Sequence, residues 1–409
     1  MNKPLDGIKV LDLSTFVAGP ATGRLLADMG ADVIKIERPE GDNWRVTGVS
    51  LVPTRFTEQE NPVFDIYNTG KKMISINMKT PEGQMIFHKL LAESDIFVTN
   101  NRDNALKRLN ATYDELKEKY PRLIYAQITG FGAKGPDADI PAYDVTAFWT
   151  RTGFMVDTAI AGENGDYRPI HPPAGGGDTV TAFLLLSQIN AALYQREKTG
   201  RGQYVEANLY HTGIFTFASM IIPNQKPWGR SGYPRKRVQV GLPGGWYRCK
   251  DGEYVFVASM QVDKLIGKLG QAIGDPHFKD DPRFSSMKAR IAHKQELYDT
   301  LAAGFLKRTA DEWVQVGREL DFAVMKCNHC SDVSADEQAW ANDFLEEVEF
   351  PSGNKDVVPR SPLHMESIGE LKTHPVPPCG GDTDAVLREM GYSKEQIEEF
   401  KANGVAKQA

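Results

Sequence analysis

Through the first third of the chain, short β-branched runs alternate with amphipathic stretches. Few architectures accommodate that pattern: each run reads as a strand buried on both faces and each stretch as a crossover helix, which together make a parallel sheet wrapped by helices. IKVLDL (8–13) is the first strand; Gly19-Pro20 opens a helix through Leu25 and Met29, and Gly30 ends it before the strand ADVIKIE. MISINM (73–78) is a further strand, after which Thr80 caps a helix with Pro81 at its first position, running to about Ala92. DIFVTN and LIYAQITG (123–130) complete the strands read in this region.

A chain of 409 residues exceeds the size at which one core stops growing, so two domains are expected. Residues 222–245, rich in Pro, Gly and basic residues and without periodicity, read as the linker between a large domain (1–221) and a smaller α+β domain (246–325). The smaller domain opens on a hairpin around Lys250-Asp251-Gly252, with helical stretches near 261–273, 286–306 and 310–319. Beyond it, 344–367 reads as a strand pair turned at Pro351-Ser-Gly-Asn, and 393–402 as a helix with a Ser393…Gln396 capping box. A net charge of −6 with no long basic run argues against a nucleic-acid partner. Asp6 interrupts the N-terminus before any signal-like apolar run, and no run approaches the ~20 residues of a membrane span. A cytoplasmic protein with no membrane partner is expected. Four cysteines without a paired framework fit reduced thiols, and Cys327-Asn-His-Cys330 lacks the second ligand pair that a metal site needs.

Two segments carry chemistry. Ala18-Gly19-Pro20-Ala21-Thr22-Gly23 follows the first strand but is not the GxGxxG of dinucleotide-binding proteins, and the acidic residue ending the second strand, Glu37, is followed at once by Arg38. An arginine there lies where open α/β sheets bind ligands and suits a phosphate or an adenine face. The second segment, Pro172-Pro173-Ala174-Gly175-Gly176-Gly177-Asp178, leads into an apolar helix extending to Arg196. One reading is an aspartate N-cap behind a flexible turn. The other is a carboxylate nucleophile at a turn where glycines admit a substrate and bare N–H groups stabilise an oxyanion. Pattern alone leaves both open.

PLDGIKVLDLSTFVAGP, VIKIERP, MKTPEG, TGRGQYVEANL and the Gly-Gly-Asp turn recur in order in one family. Along nearly its whole length the chain resembles the class III CoA-transferases, which are CaiB/BaiF-like. That resemblance implies a Rossmann-like α/β large domain, completed by a return segment (326–409), plus the smaller α+β domain, in an interlocked homodimer. It implies that Asp178 is the catalytic carboxylate, with N–H groups near Gly175, Gly176 and Gly177 as oxyanion donors. It also implies CoA contacts at Val17, Ala18, Ile76, Asn100, Asn101 and Tyr143, with Arg38, Lys79 and Arg108 facing the phosphates and adenosine. No permanently bound cofactor is expected: coenzyme A enters as an ester substrate, and its partner is a carboxylic acid. PAYDVTAFWTRTGF and DEQAWANDFLEEVEFPSGN are most similar to enzymes that pass CoA to 2-hydroxy acids such as phenyllactate or 2-hydroxyisocaproate in amino-acid fermentation. Phe148 and Trp149 read as either acyl-pocket walls or core. Relatives carry a glycine run in a mobile loop, where this chain has Gly241-Leu-Pro-Gly244-Gly245, and a family lysine is replaced by Pro141.

Two rivals remain. A 2-methylacyl-CoA racemase resembles this family but needs a His/Asp pair where the chain has Tyr143-Asp144, and neither His171 nor His211 matches that place. A nucleotide-binding oxidoreductase would need the missing glycine fingerprint.

Overall fold

The computed structural model describes residues 3–45, 56–57, 60–162, 164, 166–228 and 242–409. Two compact units emerge, one of Met1–Phe154, His171–Arg230 and Asp336–Ala409, the other of Met155–Ile170 and Ser231–Ala335. Residues 155–170, a short segment without regular periodicity, thus group with the smaller unit, whereas the sequence reading placed them within 1–221.

The larger unit is built on a seven-stranded sheet in the order β12-β3-β2-β1-β4-β5-β6. Its strands are β1 (Lys9–Leu13), β2 (Asp32–Glu37), β3 (Lys72–Ile76), β4 (Ile96–Thr99), β5 (Ile124–Thr129), β6 (Tyr204–Asn208) and β12 (Ala406–Lys407). All neighbours pair in parallel except β12, which runs antiparallel on β3 with Ala406 opposite Ile76. Strand residues alternate between two cores, because successive side chains point to opposite faces. Leu11, Ile74 and Phe97 face α2 (Pro81–Ala92) and the C-terminal helices, whereas Val10, Val33, Val98 and Ala126 face α1 (Ala18–Asp28) and α4 (Gly176–Thr199). α3 (Asp103–Arg108) follows β4. Thr80 accepts from the Gly83 N–H to cap α2 behind Pro81, and Ser393 with Gln396 forms the capping box of the helix Lys394–Ala402, both as expected from sequence.

The chain leaves β1 for β2 and β3 on one side and places β4 and β5 on the other. The sheet therefore switches direction between β1 and β4, and beyond the carboxyl ends of such strands a crevice opens. The β1–α1 turn that borders it is braced from below by charges with no exposed surface. Asp12 and Lys35 are register partners on β1 and β2. Lys71 reaches Asp12 at 2.8 Å and Lys35 reaches Asp42 at 3.0 Å. Lys35 Nζ also donates to the Ser14 carbonyl (2.6 Å), and Asp42 Oδ1 accepts from the Phe16 N–H (3.2 Å). Burial alone would raise the Asp12 pKa, but Lys71 and Lys35 hold it below the ordinary carboxylate range. The glycines of the AGPATG segment serve this packing: a Cβ on Gly23 would stand 2.7 Å from the Asp12 carboxylate.

The smaller unit has an antiparallel sheet of β7 (Gly245–Arg248), β8 (Tyr254–Ala258) and β9 (Ala323–Lys326), with β8 central. Its helices Val262–Ile273, Lys294–Phe305 and Ala310–Leu320 close a core in which Tyr247 stacks on Phe305 at 4.4 Å. The stretch read as one helix over 286–306 is two, Met287–Ala292 and Lys294–Phe305, because His293 leaves helical geometry at φ −110° and ψ 36°. Strands β6, β9 and β12 were not read from the sequence. The expected strand pair in the tail is β10 (Leu345–Glu349) against β11 (Lys355–Pro359). Of the expected linker, Ile222–Asn224 and Lys226–Trp228 form 3₁₀ turns, and residues 229–241, including Gly241 of the glycine loop, lie outside the described residues.

Lys71→Met leaves Asp12 buried without its strongest partner, so the folded state should lose about 3–5 kcal/mol in chemical denaturation; wild-type stability would contradict the bracing role.

Candidate functional site

Gly175 sits at the N-cap of α4 with φ 87° and ψ −9°, a left-handed conformation that glycine adopts without strain. Asp178 is therefore not the N-cap but the third residue of the first turn. The capping alternative fails, because Gly175 already turns the chain. The next two glycines are needed for space. A Cβ on Gly177 would lie 2.5 Å from Phe148 Cγ, and one on Gly176 would lie 3.1 Å from the Trp149 ring. Phe148, 1% exposed, is thus core beneath the turn rather than a pocket wall.

The turn is held by a residue that sequence reasoning considered only as half of a missing His-Asp pair. Asp144 Oδ2 accepts from the Gly175 N–H at 2.9 Å, the Gly177 N–H at 3.2 Å and Trp149 Nε1–H at 3.3 Å. Two of the three expected oxyanion donors are therefore occupied. The N–H of Gly176 has no acceptor among the described residues. Asp144 is buried, and desolvation pushes its pKa above the ordinary value against the pull of those donors. Burial, with the Asp144 charge as the second cause, raises the Asp178 carboxyl to about 7. Such a group is half ionised near neutrality and more basic than a free carboxylate. Tyr67, unmentioned by any motif, brings its hydroxyl to the same turn, 3.7 Å from the point a Cβ on Gly175 would occupy.

Asp178 lines a cavity of about 580 Å³ that also takes in Phe16, Val17, Ala18, Asn100, Asn101 and Tyr143. The cavity lies beyond the carboxyl ends of β1, β4 and β5, at the switch in the sheet. Phe16 adopts φ 64° there, and Tyr143 meets it edge-on at 5.7 Å. The two asparagines spend their amides on the β1–α1 turn. Asn100 exchanges hydrogen bonds with the Thr15 backbone at 3.0 and 2.7 Å, and Asn101 donates to the Leu13 carbonyl at 2.8 Å. Sequence reading thus brought five of its nine ligand positions to this cavity: Val17, Ala18, Asn100, Asn101 and Tyr143.

The other four lie elsewhere. Ile76 has no exposed side chain and belongs to the core at the end of β3. Arg38, just past β2, donates to the Gly41 carbonyl (3.1 Å) and to Asn43, and Lys79 is exposed past β3. Arg108 ends α3 with an exposed side chain, while its neighbour Lys107 lines the cavity. Glu37, the acidic position of the dinucleotide pattern, is buried in a bidentate pair with Arg45 at 2.8 and 2.9 Å. It is thus engaged away from any ribose.

The model of CoA-transferase family III matches residues 5–383. The chain is 38% identical over 404 residues to the (R)-2-hydroxy-4-methylpentanoate CoA-transferase of Clostridioides difficile, covering 98% of this chain and 99% of that one. It is 36% identical over 397 residues to the cinnamoyl-CoA:phenyllactate CoA-transferase of Clostridium sporogenes, covering 97% and 95%. A solved CaiB/BaiF family protein from Brucella suis superposes with a TM-score of 0.79 at 29% identity, covering 95% of this chain and all of that one.

Gly177→Ala is expected to cost about 1–3 kcal/mol through overpacking against Phe148, and Phe148→Leu in the same chain should recover part of it. Denaturation midpoints of the single and double variants check this; an unchanged single variant would contradict the close approach.

Proposed function

The chain belongs to CoA-transferase family III, and from that premise we propose that it moves CoA from an acyl-CoA donor to a 2-hydroxy acid, with Asp178 as covalent nucleophile. The observation that carries this reading is a partly buried carboxylate, raised to about 7, at a glycine turn on the wall of the switch-point cavity. The 2-hydroxy acid is suggested by what the two relatives from Clostridioides difficile and Clostridium sporogenes are named for.

In this mechanism an Asp178 oxygen adds to the donor thioester carbon, and collapse of the adduct breaks the C–S bond, leaving an acyl-aspartyl anhydride and CoA thiolate. The thiolate attacks the aspartyl carbonyl, releases the donor acid and forms an aspartyl-CoA thioester. The acceptor carboxylate displaces CoA to give a second anhydride, and the thiolate takes the new acyl group from it, freeing Asp178. Every intermediate conserves the activation of the original thioester, so no ATP is consumed. The N–H of Gly176 is a candidate oxyanion donor. Val17, Ala18 and Tyr143 would shape the channel for pantetheine, with Asn100 and Asn101 setting its floor through the turn. Arg38, Lys79 and Arg108 would meet the phosphates and adenosine. Ile76 keeps only a packing part in this scheme.

An interlocked homodimer belongs to the same proposal. α4 leaves Val180, Phe183, Leu184 and Tyr194 at least 38% exposed. A second subunit would give those side chains cover. The proposal also sets the enzyme in the cytoplasm, which suits its four free cysteines. No described helix is long and apolar enough to cross a membrane.

Asp178→Ala and Asp178→Asn should each lower transfer to 2-hydroxy-4-methylpentanoate by about 10³-fold or more, as removal of a nucleophile does. Wild-type turnover at saturating substrate should rise with pH through about 7 as the carboxylate ionises. Stability carries the opposite sign. A folded-state pKa above the unfolded value favours the protonated form, so the contribution of Asp178 is lost as pH rises from the ordinary carboxylate range through about 7. That loss should be missing from Asp178→Asn. Near-normal transfer by a folded Asn variant would end this reading.

A further inference from the structure

We propose that Trp149 is a positioning residue for Asp178, bracing the glycine turn in two ways: its ring lies beneath Gly176, and its indole N–H holds Asp144. The assignment rests on the covalent reading above. The sequence marks Phe148 and Trp149 as a pair, but only Phe148 is fully core. Trp149 is half-buried and, among the described residues, does not line the cavity that Asp178 faces. What it touches is the turn that launches α4.

Asp144 and Trp149 are five residues apart. In an α-helix the fifth residue on is turned about 140° away from the first. Here the segment Val145–Thr150 is π-helical, and the Arg151 N–H closes on the Thr146 carbonyl, five residues back, at 3.3 Å. The wider turn brings the indole to Asp144, where Nε1–H donates to Oδ2 at 3.3 Å, the same oxygen that takes the Gly175 and Gly177 N–H groups. Turns of this kind are rare and frequently lie at functional sites. Burial pushes the Asp144 carboxyl up, and the indole N–H, then those of Gly177 and Gly175, pull it back towards the ionised form that accepts all three.

The second contact is steric. Trp149 Cζ2 lies 3.1 Å from the point a Cβ on Gly176 would occupy, so the indole forms a floor under the residue two before Asp178. The indole is itself seated among rings: Phe148 meets it edge-on at 4.9 Å, with Phe154 at 5.0 Å and Phe217 at 5.7 Å. Phe154 in turn stacks on Phe217 at 4.5 Å. A side chain with two torsions, so packed, holds both contacts at little entropic cost. Release of either contact would let the turn shift, and displacement of a reacting group by about 1 Å can cost about 10²-fold in rate.

The test replaces Trp149 in the full-length chain by 3-benzothienylalanine, which keeps the bicyclic shape and puts sulfur where the N–H stands. Trp149→Phe, made separately, also removes the floor under Gly176. Both are assayed for CoA transfer to 2-hydroxy-4-methylpentanoate, alone and combined with Asp178→Asn. With the melting midpoint unchanged, kcat should fall about tenfold in the sulfur analogue, as loss of a hydrogen bond to a charged group does. In Trp149→Phe it should fall about 10²-fold. KM for both substrates should stay within about twofold in each, because no substrate contact is removed. Neither change should slow Asp178→Asn further, since a positioning residue acts only through the group it positions. Wild-type kcat in the sulfur analogue, a raised KM with kcat intact, or an equal loss in the Asp178→Asn background overturns the proposal. Should Trp149→Phe melt early, the sulfur analogue, which keeps the packing, decides alone. Normal transfer by Asp178→Asn would instead defeat the covalent reading itself, whatever Trp149 does.

Discussion

One carboxylate, Asp144, organises the site. By accepting from two glycine N–H groups and the Trp149 indole, it fixes the backbone that launches α4 and so fixes where Asp178 points. The same negative charge helps to raise the Asp178 pKa to about 7. A single buried anion thus fixes the geometry and raises the neighbouring carboxyl, and its own cost of burial is partly offset by the three donors. The glycines then acquire separate duties: Gly175 turns the chain at positive φ, Gly176 and Gly177 make room for Trp149 and Phe148, and Gly176 keeps an N–H free of Asp144.

The opposite wall of the cavity is held by a second set of buried charges. Asp12, Lys35, Asp42 and Lys71 have no exposed side-chain surface and tie β1, β2 and the β1–α1 turn into one unit. Buried ion pairs are weak devices for raising stability. Here they connect directly to the backbone of Ser14 and Phe16, which must hold a left-handed conformation beside the cavity. Rigid walls suit the proposed anhydride chemistry, in which water would compete with the acceptor acid for each intermediate.

Much of the fold was legible in the chain. Parallel strands announce themselves as short β-branched runs, and caps such as Thr80-Pro81 and Ser393…Gln396 mark helix starts by local chemistry alone. Strand β6 was missed because YVEAN has only a partly buried pattern, and β12 because two residues carry no period. The site was half legible. Asp178 stood out through its glycines, yet the residue that positions it lies 31 positions before Gly175 with no spacing rule to connect them. Tyr67 lies farther still, after the short helix Pro62–Asp65, and only tertiary packing brings it to the Gly175 turn. Of the positions assigned through resemblance, Arg38 and Lys79 follow the carboxyl ends of β2 and β3 and Arg108 ends α3, while Ile76 is core. An apolar residue at a strand end reads alike in either role.

The central claim is that Asp178 becomes covalently acylated. The most direct measurement incubates the protein with an acyl-CoA and no acceptor, quenches with hydroxylamine and maps modified peptides by mass spectrometry. The account predicts a hydroxamate on Asp178, dependent on the acyl-CoA and absent when CoA alone is supplied. A peptide containing Asp178 that stays unmodified with every acyl-CoA, while the enzyme turns over, would contradict it.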